Sequence, residues 1–168
     1  MRALALIPLL AVASCGDQPA ENKAAAAALP SPGQWEITSR VTQFTKADQG
    51  TPRINTPVGT SETQSLCVAP GTQLPSALFA GENFTCSYST YYVRNGRANA
   101  TLNCRRTGLT GDIPMTVNGT FQAETINLHR NLRTVLTGDG DVLIEADVTG
   151  HRTGACTPAT ASEGQNRQ

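Results

Sequence analysis

Residues 84–106 read Phe84-Thr85-Cys86-Ser87-Tyr88-Ser89-Thr90-Tyr91-Tyr92-Val93-Arg94-Asn95-Gly96-Arg97-Ala98-Asn99-Ala100-Thr101-Leu102-Asn103-Cys104-Arg105-Arg106. Two runs of alternating apolar and polar side chains flank Arg94-Asn95-Gly96. Alternation of period two puts every second side chain on one face of a strand, and Asn-Gly between two such runs signals a hairpin. Two registers are open. A two-residue type I′ loop pairs Arg94 with Arg97, stacks these two cations and sets Cys86 opposite Arg105. A three-residue loop, with Gly96 as a left-handed bulge, pairs Val93 with Arg97 and sets Cys86 opposite Cys104. In that second register the cysteines form a non-hydrogen-bonded pair, where Cα atoms approach to about 4.5 Å, within disulfide reach. The three-residue loop is therefore the expected one. It gathers Phe84, Cys86, Tyr88 and Tyr92 with Ala98, Ala100, Leu102 and Cys104 on one face. Thr85, Ser87 and Ser89 join Asn99, Thr101 and Asn103 on the other. One apolar and one polar face is the pattern of a half-solvated antiparallel sheet.

The other cysteines extend the argument outward. The chain has 5 cysteines, and Cys15 stands apart near the start. An even remainder in an exported domain implies disulfides. With Cys86 joined to Cys104, exclusion leaves Cys67 to join Cys156. Export is suggested by Arg2 followed by the unbroken apolar run Ala3 to Ala13. That run is too short for a membrane-spanning helix, which needs roughly 20 residues, and fits the apolar region of a signal peptide. The next residues, Val12-Ala13-Ser14-Cys15-Gly16, resemble a bacterial lipobox. On that reading Cys15 becomes the new N-terminus and carries the lipid, palmitate included. Several acyl chains anchor a protein stably where one does not. Gly16 stands where an aspartate would favour inner-membrane retention, so the outer membrane is the expected one. Four segments follow: a signal peptide over 1–14, a lipidated cysteine and flexible tether over 15–32, a disulfide-stabilised β-domain over 33–157, and a disordered tail over 158–168.

Strand patterns fill the domain. Trp35, Ile37, Ser39 and Val41 alternate with Glu36, Thr38, Arg40 and Thr42, a first strand near Gln34 to Phe44. Lys46 to Pro57 reads as a polar loop and Val58 to Val68 as a weaker strand. Leu74, Leu78 and Phe79 have helical spacing, but Pro75 restricts any helix there to a short one. Met115, Val117 and Phe121 mark another strand. Ile126 and Leu128 mark the next, continuing toward Leu132 to Thr137. Gly138-Asp139-Gly140 turns the chain, and Val142, Ile144, Ala146 and Val148 alternate toward Cys156. Seven to eight strands with one short helix and two disulfides give an all-β fold, an antiparallel curved sheet or barrel-like sandwich.

Pro32-Gly33-Gln34-Trp35-Glu36, the spaced cysteines Cys67, Cys86 and Cys104, and Gly150-His151-Arg152-Thr153-Gly154-Ala155-Cys156 together form a pattern. It resembles the bacterial exported domain of unknown function 3617, across about Leu29 to Pro158. The resemblance implies location and fold, and no catalytic residues.

Catalytic signatures are sparse. Lys+Arg and Asp+Glu are 13 each, so the formal net charge is zero and the basic excess that nucleic-acid binding needs is lacking. The two histidines, His129 and His151, are not at ligand spacing, the cysteines form no C-x-x-C pair, and no phosphate loop or G-x-S-x-G occurs. Asp139-Gly140-Asp141 lacks the further carboxylates of a calcium loop. Neither a cofactor nor a metal is expected. Arg94, Arg97, Arg105 and Arg106 share one hairpin and form a candidate anionic contact or a solvated face. The expected protein is a non-enzymatic, lipid-anchored envelope protein facing the periplasm, with an envelope protein or a small apolar ligand as its partner. In the carrier alternative, a β-barrel cavity would be lined by Trp35, Tyr88, Tyr92 and Leu102.

Overall fold

The computed structural model describes residues 29–138 and 140–156. The signal peptide, Cys15, most of the tether, Asp139 and the C-terminal tail lie outside the described residues. The domain is all-β. Its strands are β1 (Gly33–Lys46), β2 (Ser61–Val68), β3 (Thr85–Arg94), β4 (Arg97–Arg105), β5 (Gly111–Phe121), β6 (Thr125–Arg133), β7 (Val135–Leu136) and β8 (Val142–Gly154), with one short helix, α1 (Ala77–Ala80). They form one curled antiparallel half-barrel in the order β2-β1-β8-β6-β5-β4-β3, with β7 pairing the start of β5. The first strand thus lies inside the sheet, flanked by β2 and the last strand. Among the described residues no helix is long and apolar enough to cross a membrane.

The apolar alternation places Trp35, Ile37 and Val41 of β1 on the concave side with Leu102, Ile113, Met115, Val117, Leu128, Leu132, Ile144 and Val148. Polar residues between them face outward, so curling the sheet buries one face of nearly every strand. Ile54 also reaches this core, from a segment whose composition reads as a plain polar loop. A parallel bridge between Pro52 and Gly140 holds that loop down. β2 begins at Ser61 and not at Val58, which is exposed.

The hairpin corrects one expectation. Asn95 and Gly96 have φ of 52° and 74°, the paired left-handed conformation of a type I′ loop, and Arg94 pairs with Arg97. Cys86 nevertheless lies opposite Cys104, because the register shifts between Tyr88 and Thr90. Ser89 is the extra residue of a β-bulge. The two-residue loop matches the right-handed twist of its strands, and the bulge restores the cysteine register further down. Side chains invert across it. Tyr88 stays inward beside Leu102, but Tyr91 and Val93 now face the core and Tyr92 faces out, 45% exposed. The Arg94 guanidinium lies 4.4 Å from the Tyr92 ring centroid, a cation–π contact on the outer face.

Two disulfides brace the sheet. Cys86 and Cys104 have Cα atoms 4.0 Å apart, and Cys67 and Cys156 have theirs 5.5 Å apart. The second bond reaches past the start of β1, joining β2 to the chain just beyond β8.

Candidate functional site

β2 and β3 are the two edges of the half-barrel and do not pair with each other. The segment from Leu74 to Ala80 occupies the space between them. Pro75 opens its turn, and backbone bonds from Ala80 N to Ser76 O (2.9 Å) and Gly81 N to Ala77 O (2.9 Å) close the single helical turn. Leu78, Phe79 and Ala80 are buried against the sheet. The segment is fastened to both edges. Gln64 of β2 donates to Ala77 O at 2.8 Å. On the other edge, Leu74 N donates to Tyr91 Oη and Tyr88 Oη donates to Leu74 O, each at 2.9 Å. Phe79 meets Tyr88 edge to face with centroids 6.1 Å apart. Burial pushes the Tyr88 phenol well above its ordinary pKa, with Tyr91 nearby adding to the rise. Tyr91 is raised too, by burial, against the opposing pull of its bond to Leu74.

A cavity of about 340 Å³ remains between this segment and the sheet. Its apolar lining includes Ile37, Leu78, Phe79, Phe84 and Val148; its polar lining includes Ser39, Glu62, Gln64, Asn83 and Arg130. A smaller cavity of about 90 Å³ adjoins it and shares Ser39, Glu62, Asn83, Phe84 and Arg130. Arg130 therefore stands where the two meet. It occupies an inward position of β6, in step with Ile126, Leu128 and Leu132. Its Nη1 donates to Phe79 O at 3.3 Å and Ala80 O at 3.0 Å, and its Nη2 to Ser39 Oγ at 2.8 Å. Burial lowers its pKa, while the charge of Glu62 raises it. The guanidinium thus ties the end of α1 to β1 and presents a partly desolvated cation to the cavity.

The residues named from sequence lie elsewhere. Trp35 and Leu102 are fully buried core, with Trp35 Nε1 donating to Ser31 O at 3.0 Å. Tyr88 supports α1, and Tyr92 lies on the outer face because of the bulge. None of the four lines the cavity at Arg130. The four hairpin arginines do not form one cluster. Arg94 and Arg97 stand at the turn, while Arg105 and Arg106 stand at the far end. There Arg105 pairs with Asp112 at 3.5 Å and Arg106 lies 5.7 Å from the Phe84 ring centroid. His129 sits on the outer face between Asp147 at 3.2 Å and Glu145 at 3.6 Å, and His151 faces Glu36 at 3.9 Å. Among the described residues no three such side chains are arranged to hold a metal ion. Arg130 escaped the sequence reading, yet it carried a signal: an arginine at the inward phase of an otherwise apolar alternation.

The family described as "Protein of unknown function (DUF3617)" matches residues 30–156. No curated protein and no solved structure matches the chain.

Proposed function

From the premise that this chain belongs to the DUF3617 family, whose function is unknown, we propose that it is a non-enzymatic binding domain held at the bacterial envelope by a lipid on Cys15. The cavity between α1 and the sheet takes a small molecule. The lipobox-like run ending at Cys15 supports the anchor. The cavity carries the binding reading: about 340 Å³ lies within the range of small-molecule sites, with apolar walls and few convergent polar groups. A carrier of purely apolar ligands is not favoured, because Arg130, Glu62, Gln64 and Ser39 line the same space. Mild extraction of the mature protein from envelope, followed by native mass spectrometry, tests the reading. A reproducible adduct that leaves on denaturation is expected. Protein partners alone, with no small molecule bound, would favour a structural role instead.

A further inference from the structure

Resting on that reading, we propose that the cavity selects a single-chain amphiphilic monoanion, a carboxylate whose head pairs with Arg130 and whose tail lies along Ile37, Leu78, Phe79 and Val148. Arg130 is half-buried, and taking even part of a guanidinium out of water favours a nearby counter-charge. Here its contacts are neutral: two backbone carbonyls and one hydroxyl. No carboxylate among the described residues is within ion-pair distance. Those three bonds engage at most three of its five N–H groups, leaving at least two for a ligand. A guanidinium fork matches a carboxylate in charge and plane.

Two features narrow the class further. Glu62 lines both cavities and acts electrostatically on Arg130, so a dianion meets more repulsion than a monoanion. The larger cavity also matches a medium chain: at about 30 Å³ per water-sized unit, 340 Å³ holds on the order of ten. Its apolar walls stabilise methylenes, and Ser39 stands against the guanidinium.

Calorimetry on the full chain carrying Cys15→Ser, which has no cysteine for the lipid, separates the possibilities. The probes are decanoate, decanol and decyltrimethylammonium, each below its aggregation concentration. Decanoate is expected to bind at least about tenfold more tightly than decanol, with the cation weakest. Glu62→Gln, at an exposed position, should tighten decanoate by about threefold to tenfold and leave decanol unchanged. Arg130→Gln should bring decanoate down to the decanol level. If that variant does not fold, the headgroup series and Glu62→Gln still decide. Equal binding of decanoate and decanol would overturn the anion assignment while leaving small-molecule binding in place. Binding of none of the three would overturn both. A folded Arg130→Gln chain that keeps its preference for decanoate would also overturn the assignment.

Discussion

Gly119 stands in β5 with φ of 155°, and a Cβ there would collide with the Asn127 carbonyl and the Leu128 Cα across the β5–β6 ladder. Both obstacles are backbone, so the ladder itself has to shift. We expect Gly119→Ala to destabilise the domain by about 2–4 kcal/mol, read from urea unfolding, whereas an unchanged midpoint would mean that the ladder yields freely. Tyr88 and Tyr91 give a second residue-scale prediction. Their folded pKa values lie above the ordinary 10.0. As pH rises through that value, the unfolded chain loses phenolic protons that the folded one retains. Stability is therefore intact below about pH 10 and falls above it. Tyr88→Phe should weaken that alkaline loss, measured as unfolding midpoints across the alkaline range; an equal loss in the variant would rule Tyr88 out as its source. Residue identities alone did not place Tyr92. Its face depends on the unpaired Ser89, and alternation carries no mark of where a bulge falls.

Among the elements, the strands were the most legible part of the sequence, because the buried strand faces repeat with period two except where a bulge intervenes. Trp35-Ile37-Val41 and Val142-Ile144-Ala146-Val148 each proved to be one side of a real strand. The break after β6 was harder to see. Thr134 interrupts the run there, fully buried, its hydroxyl donating to Asp141 Oδ1 at 2.9 Å and accepting from Val142 N at 2.8 Å. A threonine pattern does not announce such a knot. We expect Thr134→Val to cost about 1–3 kcal/mol in unfolding free energy, since both Val142 N and Asp141 lose a partner; a neutral result would mean that water replaces the hydroxyl. The cavity was illegible for a related reason. Its walls come from β1, β2, β6, β8 and the α1 segment, which only the sheet order brings together. The disulfides separate by loop length. The Cys67–Cys156 bond closes a separation of 89 residues and the Cys86–Cys104 bond one of 18. Paired Cys→Ala substitutions should therefore cost about 4.5 and about 3 kcal/mol respectively, and a reversed order in thermal or urea unfolding would count against chain entropy as the main contribution.

For the whole molecule, the proposed anchor at Cys15 and the proposed binding cavity belong to separate stretches of the chain. A Cys15→Ser chain should leave the membrane fraction while keeping the unfolding profile of the wild-type domain, because Cys15 precedes the first strand by a polar and alanine-rich stretch. Mass spectrometry of the mature wild-type N-terminus should find acylated Cys15, and an unmodified N-terminus further downstream would remove the anchor from the proposal.

The central place of β1 also sets a timetable. β1 begins at Gly33, and its longer partner, β8, ends at Gly154. Most of the polypeptide must therefore exist before its first strand can be completed on both sides. Until then β1 can use only its β2 side, and the bond that closes at Cys156 waits as well. Such distant pairing makes assembly slow, since loop closure precedes the contacts that reward it. A nascent chain halted before Val142 should remain open to proteolysis, and adding β8 should protect the whole length at once. The growing chain thus leaves its first strand half-paired until the last one arrives to complete the sheet.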